Sequence, residues 1–222
     1  RGGLVRDALS NAGLTLPERA AFAVALAEAT EAHYQAAVAA QRGTSVYEAM
    51  RTFLPTQGLP VTEDLVVVAG DAYCRAGTHP APLRIGARAV LEGLRARGLK
   101  LGVISNTLQP GSAMDATLAR IGIRDLFSAC LYSSEVGFAK PHPVIFRAAL
   151  DALDARPERS VHVGDRLQAD IAGAQAAGMR AILIEVAHRP EFSDHIVPDA
   201  RIRELPELLA VPFIASAFPQ RD

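Results

Sequence analysis

The stretch His162-Val-Gly-Asp-Arg-Leu-Gln-Ala-Asp170 ends a short apolar run in Gly164-Asp165 and returns a second carboxylate, Asp170, five positions later. Two other polar clusters follow apolar runs in the same way. Ser105-Asn106-Thr107 comes after "LGVI", and Lys140 sits in "SSEVGFAKPHP" after the apolar run near residue 130. A hydroxyl and backbone N–H groups donate to phosphate oxygens, a lysine neutralises them as a point charge, and carboxylate oxygens suit Mg²⁺. Together these parts suit phosphoryl transfer. Each also has a plainer role. Ser105-Asn106-Thr107 suits a helix cap, Lys140 a surface position, Asp165 a turn, and Asp170 the first turn of a helix, where the dipole favours a carboxylate. Pro141 and Pro143 stiffen the backbone beside Lys140, and His142 is placed to cap a helix starting at Pro143.

What must position these groups is a sheet. From residue 85 onward helical periods alternate with short β-rich runs, the pattern of a parallel sheet covered on both faces. Strands are expected at 100–104, 129–132, 160–163 and 180–184, with helices at "IGARAVLEGLRARG" and after "VGDRLQAD". Ligands of such sheets bind beyond the carboxyl ends of the strands, where Ser105, Lys140 and Asp165 stand.

Residues 1 to about 80 read as helical throughout. Pro17-Glu18 opens a long helix with Phe22, Leu26, Ala29 and His33 on one face, which Gly43 closes. "LVVV" at 65–68 fits helical spacing with Ala69, Ala72 and Tyr73 better than it fits a strand, and "GTHPAPLRIG" is a linker. The domains expected are therefore a helical domain, 1–80, and an α/β domain, 81–222.

With 23 basic against 24 acidic side chains and a net charge of -1, the 222 residues carry no electrostatic footprint for nucleic acid or an anionic membrane. No apolar run reaches the ~20 residues of a membrane span and no signal segment opens the chain, so a cytoplasmic location is expected. Cys74 and Cys130 lack metal or disulfide spacing and read as buried thiols, and His188 and His195 as loop or surface residues.

"VISNT", Lys140-Pro141 and "VGDRLQAD", in that order and at those strand ends, resemble motifs two, three and four of the haloacid dehalogenase-like hydrolase superfamily over roughly residues 85 to 190. The resemblance implies a Rossmann-like parallel sheet core with helices on both faces, and makes the helical first 80 residues an α-helical cap. It implies that Ser105 and Asn106 bind the transferring phosphoryl group and that Lys140 holds both that group and the nucleophile. Asp165 would ligate Mg²⁺, and Asp170 would support the metal site or pair with Lys140. The implied activity is a Mg²⁺-dependent phosphatase acting on a small phosphorylated metabolite through an aspartyl-phosphate.

The family's first motif, D-x-D-x-T, which carries the nucleophile, is not found in these residues. Asp7 falls within an apparent helix and Asp222 has no partner carboxylate. The expectation is an N-terminally truncated chain lacking its first core strand and, by itself, inactive. Two other readings stay open: a 2-haloacid dehalogenase, against which the extra negative charge of Asp165 and Asp170 argues, and a non-catalytic phosphate-binding module.

Overall fold

Four helices fill the first third of the chain: α1 Gly2–Asn11, α2 Arg19–Ala39, α3 Val46–Thr56 and α4 Glu63–Arg75. A computed structural model describes residues 1–75, 83–186 and 193–215. The helix starts are set by side chains that satisfy N–H groups left without an intrahelical acceptor. The Glu18 carboxylate accepts from Ala20 and Ala21 N–H, and the Ser45 hydroxyl from Glu48 N–H. Phe22 and Leu26 on α2 are buried as the periodicity requires, and Phe22 meets Phe53 of α3 edge to face at 5.3 Å between centroids. The apolar "LVVV" run is helical, with Val66 turned into the core. Asp7 lies on α1 and pairs with Arg19 at 2.6 Å, so it stands on a helix as expected.

By internal contacts the chain divides into two compact units that ignore chain order. One comprises Arg1–Pro80, Asn106–Thr117 and Tyr132–Ala139; the other comprises Ala81–Ser105, Leu118–Leu131 and Lys140–Asp222. In the first, Leu108 belongs to the same apolar core as Val46, Met50 and Phe53, and its carbonyl accepts from Val46 N–H at 2.7 Å. The α2–α3 connection is held by backbone pairing. Gly43 N–H donates to Gly137 O at 2.9 Å, and Ala139 N–H donates to Gln41 O at 3.1 Å. Helix α2 ends at Ala39, so Gly43 does not close it. Gly43 instead lets two backbones meet, because a Cβ there would overlap the Ser133 carbonyl oxygen and lie 2.9 Å from Gly137 Cα.

The second unit carries α5 Ala87–Ala96 and β1 Gly102–Ser105; next in the chain come α6 Gly111–Arg120 and β2 Ala129–Tyr132. The one-turn α7 Ser133–Val136 precedes α8 Pro143–Ala152, β3 Val161–Gly164, α9 Gly173–Ala176, β4 Arg180–Ile184 and β5 Ala200–Ile202. Among the described residues β1 pairs with β2, and β3, β4 and β5 form a parallel sheet with β4 in the middle. Central β4 is apolar and buried from Ala181 to Ile184, as a strand covered on both faces must be. Ile182, Ile184, Ile202, Leu208 and Val90 pack into one core. The four expected strands are present, shifted by at most two residues, and β5 is additional. The fold is the expected α/β class.

Part of the expected linker lies outside the described residues, as does His188, whereas His195 is exposed. The two cysteines, expected to be buried, are half-buried free thiols.

Two glycine substitutions should separate close approach from chain entropy. Gly43→Ala forces apart paired backbones and should cost about 1–3 kcal/mol or more, whereas Gly93→Ala, in α5 with open space around its Cβ, should gain about 0.5–1 kcal/mol. Urea denaturation of both variants checks the opposite signs.

Candidate active site

Asp170 is the most constrained side chain of the predicted set. Its side chain is 4% exposed, and its oxygens accept from three different elements. Lys140 Nζ lies 2.6 Å from Oδ1, His162 Nε2 lies 3.1 Å from the same oxygen, and Arg166 N–H donates to Oδ2 at 3.0 Å. The local backbone makes this possible. After β3 the chain does not enter an ordinary α-helix; Leu167–Ala172 forms a wide turn in which Ile171 N–H reaches Arg166 O, five residues back. That turn brings Asp170 back over the end of its own strand. Gly164 is required there, since a Cβ would overlap the Asp170 side chain.

Burial by itself would oppose ionisation of Asp170, but the His162 hydrogen bond and the Lys140 charge outweigh it, and the carboxyl is held well below the ordinary carboxylate range. Burial is also the main influence on His162 and lowers its pKa; Lys140 acts in the same sense and the Asp170 bond opposes both. The imidazole is therefore neutral at pH 7, and a neutral ring bonded through Nε2 to a carboxylate donates Nε2–H. Its ring also packs edge-on against Phe146 of α8 at 5.3 Å.

Lys140 is not the surface lysine its loop position allows. Its side chain is 12% exposed, and its ammonium donates at 2.9 Å to the carbonyl of Ile104, the residue before Ser105. One cation thus ties the end of β1 to the turn after β3. His142 caps α8 as expected, Nδ1 accepting from Val144 N–H at 3.3 Å.

Ser105 ends β1, and Asp165 follows β3 at intermediate burial. Asn106, the next residue after Ser105, accepts at its carbonyl from Tyr34 O–H at 3.3 Å. The loop that continues from it is fastened by three consecutive residues for which no role was expected. Ser133 Oγ accepts from Thr107 N–H at 2.9 Å and donates to Thr107 O at 3.3 Å. Ser134 Oγ donates to Gln109 O, and Glu135 accepts from Gly111 N–H, both at 2.7 Å. Such serine clamps leave no periodic trace in a sequence; only the run of three polar residues directly after β2 hints at them.

Asp170 accepts from three protein donors, the Lys140 ammonium, His162 and the Arg166 N–H. Among the described residues no group of three or more His, Cys, Asp or Glu side chains is arranged to hold a metal. Mg²⁺ is commonly held by one or two carboxylates plus water and substrate phosphate, so Asp165 alone fits that donor set.

Two outcomes are expected from this charge arrangement. Lys140→Ala leaves Asp170 buried without its cation and should lower stability by about 3–5 kcal/mol in urea melts. The unfolded chain protonates its histidines near pH 6.5, while folded His162 and His33, both with lowered pKa values, bind protons only at lower pH. The unfolded state then holds more protons, so stability is full above about pH 6.5 and falls as pH drops toward the folded values. His162→Gln should make that decline shallower between pH 7.5 and 5, with the His33 share persisting.

A model of haloacid dehalogenase-like hydrolases matches residues 5–178. A phosphoserine phosphatase of Thermus thermophilus is 38% identical over 136 residues, 61% of this chain and 52% of that protein. A glyceraldehyde 3-phosphate phosphatase of Methanothermobacter thermautotrophicus is 41% identical over 108 residues, 49% and 47% of the two chains. The chain spans about half the length of these curated relatives. The solved 2-haloacid dehalogenase of Pseudomonas syringae pv. Tomato superposes with a TM-score of 0.68 at 26% identity, covering 97% of this chain and 90% of that one. With the lysine, the strand-end carboxylates and the parallel sheet in place, the chain belongs to the haloacid dehalogenase-like hydrolase family.

Proposed function

We propose that this protein is a Mg²⁺-dependent phosphatase of small phosphorylated metabolites, working in the cytoplasm. The observation that carries the reading is the part-buried Lys140 ammonium, fixed between Ile104 O and Asp170 at the strand end that bears Ser105. An ammonium held by its neighbours spends no reorganisation when a dianion arrives beside it, and that preorganisation is the main way a site stabilises developing negative charge. In this reading Ser105 donates its hydroxyl to a phosphoryl oxygen, Asn106 binds beside it, and Lys140 offsets the charge. Asp165 holds Mg²⁺, which when bound would clamp phosphoryl oxygens and reduce their repulsion toward an anionic nucleophile. The aspartate that attacks in the family's mechanism is assigned to no residue here, because no D-x-D motif is found in the sequence. The phosphatase names of relatives, which include a ribulose-1,5-bisphosphate 5-phosphatase of Halopiger xanaduensis, support the reaction class. They differ in substrate and so name none for this protein.

A second reading, a 2-haloacid dehalogenase, is favoured by the 26% identical structure. Asp170 is neutralised by Lys140, so only Asp165 would burden a metal-free site.

The protein translated from its complete gene should release phosphate from p-nitrophenyl phosphate with Mg²⁺ and lose that activity in EDTA. Asp165→Asn should slow it by about 10²-fold or more, the scale of losing one transition-state charge contact. Chloride release from 2-chloropropionate, unaffected by EDTA and without phosphatase activity, would instead establish the dehalogenase reading.

A further inference from the structure

His162 lies outside every role assigned above, yet it is one of three ionisable side chains, each at most 12% exposed, in a single contact chain. It sits on β3, three residues before Asp165, with its side chain 11% exposed. One edge of its ring meets Asp170 Oδ1 and its orientation is fixed by the edge-on contact with Phe146. The groups facing it are Lys140 from the loop before α8, Phe146 from α8 and Asp170 from the turn after β3. A buried carboxylate with one cation could pivot between rotamers; a second donor on the same oxygen removes that freedom. Two donors at Oδ1 and the Arg166 amide at Oδ2 define the carboxylate plane, and the plane sets where the Lys140 ammonium rests.

We propose that His162 is a positioning residue, whose Nε2–H orients Asp170 so that Asp170 holds the Lys140 ammonium at the end of β1. Such supporting partners of a site commonly contribute 10–100-fold to activity without touching the substrate. Because a lysine held off its place by an ångström still attracts an anion but stabilises the transition state less well, the loss falls on turnover rather than on binding. Gln carries an N–H donor at a similar reach from the backbone, whereas Leu fills the space against Phe146 without one.

The proposal rests on the reading of Lys140 as a phosphoryl-group ligand, so its test has one arm that needs no activity. In the chain described here, ¹⁵N–¹H correlation spectra of the His162 ring at pH 7–8 should show Nε2 protonated and Nδ1 bare, and Asp170→Asn should shift the Nε2 resonance. An Nδ1-protonated ring, an imidazolium at pH 7, or an Nε2 resonance indifferent to Asp170→Asn overturns the proposal whatever the protein catalyses. In the protein translated from its complete gene, His162→Leu should lower kcat for p-nitrophenyl phosphate by about 10–100-fold with KM changed less than about 3-fold, and His162→Gln should recover most of the loss. An unchanged kcat in His162→Leu, or a Gln variant as slow as the Leu variant, also overturns it. A wild-type protein without phosphatase activity but with the expected ring spectrum removes the functional reading and leaves the orienting bond established.

Discussion

A carboxylate taken out of water must find donors or a proton, and Asp170 has found donors on every side. Much of the local architecture follows from keeping that one group ionised. Lys140 must come in from the loop before α8, His162 must face the turn from β3, and residue 164 must have no side chain. The five-residue step from Arg166 O to Ile171 N–H does the rest, by turning Asp170 toward the strand it has just left. A buried ion pair contributes little net stability against a well-packed apolar substitute, though breaking one is costly. Its presence here is better understood as a device for fixing an ammonium at a defined point than as a source of folding energy.

Chemistry in this family depends on where charge sits, and the arrangement bears on how the reaction classes are told apart. Counting Asp165 and Asp170 from the sequence makes two negative charges beside the site. Counting them in the structure leaves Asp165, since Lys140 compensates Asp170 and His162 is neutral. A site with one such carboxylate can accommodate a cation shared with substrate phosphate, yet does not by itself forbid metal-free chemistry. Activity therefore distinguishes the readings better than motif counting does.

Much of the framework was legible because periodicity reports burial. Phe22 and Leu26 marked the inner face of α2, the run 181–184 marked a strand covered on both sides, and His142-Pro143 marked a helix start. The strand at 200–202 escaped because three residues containing an arginine make no apolar run. The role of Asp170 was open between metal and lysine, since five-residue spacing does not reveal a turn wider than an α-helix. A surface position stayed the plainer reading of Lys140 because loop lysines are usually exposed, and only the fold shows Ile104 O beside it. Ser133, Ser134 and Glu135 could not be read at all, because their partners at 107–111 are distant in sequence and contacted through the backbone. Gly43 announced a helix end and served a closer purpose, the meeting of two chains.

The helical unit draws on three separate stretches of the chain, and that has a bearing on its biosynthesis. Helices α1–α4 leave the ribosome before Leu108, which completes their core, and before residues 137–139, which pair with the α2–α3 connection. At about 5–20 residues per second, several seconds separate the first helices from their last partners. During that interval the core around Val46 and Met50 lacks a wall, making the nascent chain a natural client for chaperones. The same discontinuity bears on protein engineering: a segment cut at residue 80 and grafted elsewhere would carry the helices away from part of what they pack against.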